Sequence, residues 1–308
     1  MKKILIIGSM NMDMVIGMRH MPVVGETVLG ENPTYIPGGK GANQAYTAGS
    51  LGGNAAMLGC LGNDSHGRTL LENMKKSGID CSGLSRLEEY PTGMAVIYVN
   101  EEGNNSIVVI AGANRACDVE YLKAHDEMIR ESDYVIFQME IPDEAVFYGI
   151  RRARELGKTV ILNPAPAPDE LPDDILAKVD YITPNETEIA KITGKTEETL
   201  ESIQAGAEEL LGKGVKNILV TLGSQGAMLV NEEGVQRYPA RKVEAVDTTA
   251  AGDCFNAAFV VGLSEGMTNA EAIRFANTAS SIAVTRKGAQ SSIPTREEVN
   301  TVMYEEKQ

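Results

Sequence analysis

The chain has little of what builds metal and disulfide scaffolds: its 308 residues include four cysteines and three histidines. Cys60, Cys81, Cys117 and Cys254 form no CxxC pair, and His20, His66 and His125 are scattered, at no metal-ligand spacing. This pattern speaks against a structural zinc and against a disulfide framework. Long hydrophobic runs are missing as well. Lys2 and Lys3 precede the apolar residues Ile4 to Ile7, but the run stops at Gly8, short of a signal peptide's hydrophobic region. No later stretch is long enough to span a membrane, so the expected location is the cytoplasm. Positive charge is in deficit: 28 Lys and Arg against 43 Asp and Glu leave a formal charge of −15. Such a balance repels nucleic acid and anionic membrane at long range, so neither is expected as a partner. A nucleotide can still be held locally by backbone N–H groups and a few cations.

What remains is a chain with 43% hydrophobic residues, enough to bury a sizeable core. Its aliphatic runs are short and recur. Ile4 to Ile7, Tyr134 to Phe137, Thr159 to Leu162, Tyr181 to Thr183 and Ile218 to Thr221 read as strands buried on both faces. Helical patterns such as Glu144 to Leu156 and Thr199 to Leu211 separate them. The alternation predicts an α/β fold, a doubly wound and mainly parallel sheet with sites at the carboxyl ends of its strands. Two stretches break the rhythm. Met14 to Pro37, and Thr92 to Gly112 with its turn at Glu101 to Asn105, read as β-structure without helices. They are expected to meet as a small sheet, so residues 14–37 and 92–112 form a lid and residues 1–13, 38–91 and 113–308 the α/β domain. Near the C-terminus, Thr268 to Glu271 has the form of a capping box opening a helix that runs towards Arg286 and stops near Gly288.

The strongest chemical signal is Asp247-Thr248-Thr249-Ala250-Ala251-Gly252-Asp253, leading into the apolar stretch Cys254 to Leu263. Tiny residues at a helix start let an anion approach the unpaired N–H groups, where the helix dipole favours negative charge. Asp253 is either a catalytic carboxylate there or a residue capping those same N–H groups. Gly38 to Gln44 is a second glycine-rich entry to a helix, with Lys40 and Asn43 as donors. It is not a Walker A loop: Gly41 follows the lysine where Ser or Thr is needed, and Thr34 stands where the first glycine should be. Thr193-Gly194-Lys195-Thr196 fails the same test at Ile189. Asn11 and Asp13, at alternate positions after the first strand, suit a polyhydroxylated ligand if the chain is extended, or belong to an Asx-rich turn. The segment lacks the glycines of a dinucleotide fingerprint. Asn185 to Glu188 opens another helix; Asn185 caps it or faces a ligand, and Glu188 is placed to organise hydrated Mg²⁺. Thr221, Gly223, Ser224 and Gly226 suit backbone contact with a nucleotide or a hairpin turn.

Taken in this order, the motifs resemble the ribokinase-like, or phosphofructokinase-B, carbohydrate kinases along nearly the whole chain. Gly38 to Gln44 is similar to that family's N-terminal signature and Asp247 to Asp253 to its C-terminal one. The resemblance implies an α/β domain under a β-sheet lid and transfer of the γ-phosphoryl group of ATP to the 5-hydroxyl of D-ribose. The alternatives are a related family kinase acting on deoxyribose, a nucleoside or another sugar, and a catalytically silent sugar-binding sensor, against which the intact Ala250 to Asp253 segment speaks. By the same resemblance Ala250, Ala251 and Gly252 form the anion hole and Asp253 is the base. Asn11, Asp13, Gly39, Lys40, Asn43 and Glu140 contact the sugar, and Asn185, Glu188, Thr221, Gly223, Ser224, Gly226, Gly252 and Asn277 serve the nucleotide. Asp247, Thr249, Ala283, Arg286, Gly288 and Ser292 match positions that hold an activating K⁺, mostly through carbonyls. Mg²⁺ with ATP, and a homodimer joined through its lids, are implied in the same way.

Overall fold

Ile4–Ile7 is the strand its aliphatic run predicts, fully buried, and it lies at the heart of a nine-stranded sheet. The computed structural model describes residues 1–195 and 199–305; Thr196 of the Thr193 to Thr196 sequence, and the last residues of the 113–308 span, lie outside them. In spatial order the large sheet runs Gly234–Tyr238, Ala227–Asn231, Asn217–Thr221, Tyr181–Ile182, Thr159–Asn163, Tyr134–Gln138, Ile4–Ile7, Ala55–Gly62, Leu84–Leu87. Pairing is parallel except where Ala227–Asn231 and Gly234–Tyr238 fold back as an antiparallel edge.

Because successive side chains leave a strand on opposite faces, the sheet separates two cores. Ile4 and Ile6 face helices Lys40–Ser50, Ala251–Ser264 and Asn269–Ala283; Leu5 and Ile7 face Asp143–Glu155 and Leu200–Gly212. The capping box predicted at Thr268 and Glu271 is formed, with Thr268 Oγ1 accepting from the Glu271 N–H. Among the described residues no helix is long and apolar enough to cross a membrane.

The two helix-poor stretches meet in a separate four-stranded sheet ordered Thr34–Gly38, Asn11–Met18, Gly93–Asn100, Asn105–Ile110. Its second strand begins at Asn11, three residues before Met14. Asn11 and Asp13 therefore stand on the small sheet itself, extended and two residues apart, with their side chains on one face. Asn11 pairs with Gly38 and Gly93, so the roots of three strands converge beside the carboxyl end of Ile4–Ile7.

Candidate active site

At that convergence the start of helix Lys40–Ser50 is pressed onto the loop after the first strand. A Cβ added at Gly41 would lie 2.6 Å from both the Gly8 carbonyl carbon and the Ser9 nitrogen, so only glycine allows this backbone-on-backbone seat. The helix has no side-chain cap of its own. Glu140, at the end of Tyr134–Gln138, supplies one: its Oε2 accepts from the Lys40 N–H at 3.0 Å and from the Ser9 hydroxyl. A carboxylate at a helix N-terminus is favoured by the dipole.

The same seat aims Asn43 and Gln44 at the opposite helix, Ala251–Ser264. Asn43 Nδ2 donates to Asp253 Oδ2 at 2.9 Å, and Gln44 Nε2 donates to Asp253 Oδ1 at 3.0 Å. Asp253 is 6% exposed. Its carboxylate does not cap its own helix, which has no side-chain cap at Ala250. The capping alternative for Asp253 is thus not what the geometry shows. Each amide is itself oriented: Gln290 Nε2 donates to Asn43 Oδ1, Gln138 Nε2 to Gln44 Oε1, and Gln44 Nε2 also to Asn163 Oδ1.

Ala250, just before that helix, has φ 58°, the only positive value for a non-glycine among the described residues. A left-handed alanine stores roughly 1–3 kcal/mol of strain, the kind of cost that accumulates where a backbone is bent for a purpose. The first-turn N–H groups have no helical acceptor, although that of Ala251 donates to Thr248 O at 3.2 Å, and Ala250, Ala251 and Gly252 border a cavity of about 200 Å³. Lys40, Asn163, Thr183, Asn185, Glu188, Thr221, Thr248, Ala250, Ala251, Gly252, Asp253 and Asn256 line it. Two of its buried polar atoms, Thr183 Oγ1 and Asn256 Oδ1, have no hydrogen-bond partner in the chain.

Four carboxylates surround one ammonium. Burial by itself would lower the Lys40 pKa, but Asp253, Glu140, Glu188 and Asp13 together hold it above its ordinary value. Asp13 is pushed up to about 7, first by burial, then by Glu140 and Asp253, with Lys40 opposing. Glu188 is also raised, by burial, although it accepts from the Asn185 N–H and feels Lys40. Asn185 and Glu188 form a full capping box, and both also line the cavity.

Other positions gather nearby. A larger cleft, about 710 Å³, runs under the small sheet between Asp13, Thr34 and Val99 on one wall and Asp247, Thr249 and Gly288 on the other. Asp247 Oδ1 accepts from Thr249 and Oδ2 from the Gly288 N–H, while the N–H groups of Val246 and Asp247 donate to Val284 O. Burial raises the Asp247 pKa, but these bonds outweigh it and leave the carboxyl below the usual range. Residues 283–292, with Ala283, Arg286, Gly288 and Ser292, are thereby tied to the loop that precedes the helix. Gly223, Ser224 and Gly226 lie in the turn joining Asn217–Thr221 to Ala227–Asn231, a hairpin at a sheet edge. Asn277 Nδ2 donates to the carbonyls of Tyr238 and Pro239, which ties the helix Asn269–Ala283 to the end of strand Gly234–Tyr238. Gln44, Asn114, Gln138, Thr183, Asn256 and Gln290 were given no role by sequence reasoning. Gln44 closes the Gly38 to Gln44 motif without a role of its own there; the other five become visible only as partners across the fold.

Comparisons with known proteins cover nearly the whole chain. The family model for pfkB family carbohydrate kinases matches residues 1–296. The ribokinase of Haemophilus influenzae is 41% identical, over 96% of this chain and 97% of its own length. The crystal structure of Thermotoga maritima ribokinase superposes with TM-score 0.91 at 41% identity, covering 99% of this chain and all of that one. Arabidopsis thaliana ribokinase complexed with ribose and ATP superposes with TM-score 0.91 at 33% identity, covering 98% of each chain.

Proposed function

The chain belongs to the pfkB family of carbohydrate kinases, and from that premise we propose that it transfers the γ-phosphoryl group of ATP to the 5-hydroxyl of D-ribose, giving ribose 5-phosphate. The observation that carries the proposal is the buried Asp253 carboxylate, held by two amide donors at the mouth of an uncapped helix N-terminus. Phosphoryl transfer asks for position and charge stabilisation more than for covalent chemistry.

Asp253 takes the proton of the attacking hydroxyl. The backbone N–H groups around Gly252 stabilise charge developing on the transferred group, with Lys40 beside them. Asn11, Asp13, Asn43 and Glu140 bind the sugar hydroxyls, and the small sheet excludes water over them. Asn185, Thr221 and the turn through Gly226 hold the nucleotide, with Asn277 at the outer end. The donor set suits Mg²⁺: Glu188 and the unpartnered oxygens of Thr183 and Asn256 supply hard oxygen ligands or partners for its waters. When bound, the ion neutralises phosphate charge. For K⁺, Asp247 and the carbonyls of Thr249, Ala283, Arg286, Gly288 and Ser292 are the oxygens that would hold the ion; the bonds from Gly288 N–H to Asp247 Oδ2 and from Val246 and Asp247 N–H to Val284 O, which tie the two segments together, support that reading.

One experiment tests both the substrate and the monovalent ion. ATP-coupled turnover is measured over pentoses, 2-deoxyribose, hexoses and nucleosides, with K⁺ and again with a bulky organic cation at equal ionic strength. Ribose should give the highest kcat/KM, and its turnover should rise with K⁺. A better substrate from another sugar class would overturn the substrate reading, and indifference to the cation would overturn the K⁺ site.

The outer strand of the small sheet, Asn105–Ile110, exposes Ile107, Val108, Val109 and Ile110, each about half accessible. An apolar, unpaired edge of this kind calls for a cover. We read that cover as the lid of a second copy. A sedimentation mass of one chain, 33.0 kDa, at micromolar concentration would refute it.

A further inference from the structure

Asn114 occupies a short 3₁₀ turn, Gly112–Ala116, just beyond the last strand of the small sheet, and is 1% exposed. Its side-chain amide makes a two-point contact with one backbone residue: Oδ1 accepts from the Met10 N–H at 2.9 Å, and Nδ2 donates to Met10 O at 3.2 Å. Turning the amide over would set donor against donor and acceptor against acceptor, so its orientation is fixed. The second proton of Nδ2 goes to Asn11 Oδ1 at 2.8 Å. Asn11 Oδ1 is thereby turned towards Asn114, which leaves Nδ2 as the group that Asn11 presents on its other side.

From this we infer that Asn114 is a positioning residue that sets the polarity of the sugar site by making Asn11 a hydrogen-bond donor; the inference rests on the proposed sugar-binding role of Asn11. Two residues along the same face of the strand, Asp13 is the complementary acceptor. A hydroxyl that accepts from Asn11 still has its own proton to give, and a carboxylate on the same side receives it. The pair reads a hydroxyl, or two neighbouring ones, in a defined sense, which a ligand lacking such hydroxyls cannot satisfy. Gly93 makes room for the arrangement. A Cβ there would lie 2.3 Å from Asn114 Nδ2 and 2.4 Å from Asn11 Oδ1, between the two bonded atoms.

The test uses the near-isosteric Asn114→Asp. A carboxylate keeps the bond from the Met10 N–H but cannot donate to Asn11, whose amide then turns its nitrogen inward and shows oxygen to the sugar. Ribose KM, and ribose Kd by calorimetry, should rise roughly tenfold, the effect of one buried pairing lost, while kcat and the KM for ATP change less than about twofold. On an Asn11→Ala background the same change should add less than about twofold, because Asn114 acts through Asn11. If Asn114→Asp does not fold, Gly93→Ala, which keeps both asparagines, should give the same split between KM and kcat. An Asn114→Asp enzyme with unchanged ribose affinity, or one whose loss persists in full without Asn11, overturns the inference. If Asn11→Ala itself leaves ribose affinity unchanged, the sugar-site reading falls instead, so the two failures are distinguishable.

Discussion

Replacing Asp253 by Asn should lower kcat for ribose phosphorylation by a factor on the order of 10²–10⁴, the usual contribution of a positioned acid or base. The amide keeps the size of the side chain but cannot take the hydroxyl proton at neutral pH. Helix capping alone would let Asn substitute for Asp with little effect on stability. The structure predicts otherwise, because both carboxylate oxygens receive amide donors, Asn43 Nδ2 and Gln44 Nε2. An asparagine must point its own NH₂ at one of them. Neither neighbour can turn over freely, since Asn43 Oδ1 is held by Gln290 and Gln44 Oε1 by Gln138. One unmet pairing should cost about 1–3 kcal/mol and lower Tm without preventing folding. Ribose 5-phosphate should be followed directly, so that residual ATP hydrolysis does not hide the loss. A folded Asp253→Asn enzyme with near wild-type kcat would sink the assignment of the base.

Asp13 carries the second large expectation, in two measurements with opposite signs. Removing its acceptor by Asp13→Ala should raise ribose KM by about tenfold to a hundredfold, through buried hydroxyls left unpaired, with little change in the KM for ATP. In the wild type, where burial, Glu140 and Asp253 push the carboxyl up to about 7, ribose KM should rise as pH falls through that value and the acceptor is protonated. Stability moves the other way. A carboxyl whose folded pKa lies above its unfolded one contributes stability fully below the unfolded value and loses it as pH rises through the folded value. Ionising Asp13 thus destabilises the fold above about pH 7. Asp13→Asn, neutral throughout, should gain Tm relative to wild type on going from acid to alkaline pH. Parallel Tm curves for the two proteins would show that Asp13 does not titrate there.

How much of this was legible in the sequence depended on whether a feature is local. Ile4 to Ile7 reads as a buried strand because β-branched and aliphatic residues fill it, and the chain forms that strand. Ala55–Gly62, its neighbour in the sheet, escaped notice: Ala-Ala-Met-Leu-Gly-Cys-Leu-Gly has no β-branched residue, and burial on both faces removes the alternation that would mark it. The antiparallel strands Ala227–Asn231 and Gly234–Tyr238 follow the Gly223 to Gly226 turn and pair with each other, a feature the turn alone does not announce. Within the site, the helix-start glycines and Asp253 announce themselves because anion binding requires small residues in sequence. Gln44, Gln138 and Gln290 do not. Their work is done on partners 94 to 247 residues away, and a buried glutamine has no neighbours in sequence to show what it will orient.

The seat of helix Lys40–Ser50 on Gly8 and Ser9 divides the molecule by its tolerance to substitution. The seat itself is backbone against backbone, with no side chain at Gly41 to shorten, lengthen or recolour, so variation there has no small steps. The small sheet is different: Val15, Thr34, Ile36, Ile97 and Val99, each with a side chain that can be varied, line the cleft. A laboratory seeking a new sugar preference would therefore diversify those strands and leave the helix start untouched. The chemistry is fixed where glycine is obligatory, and the choice of substrate is open to selection one methyl group at a time.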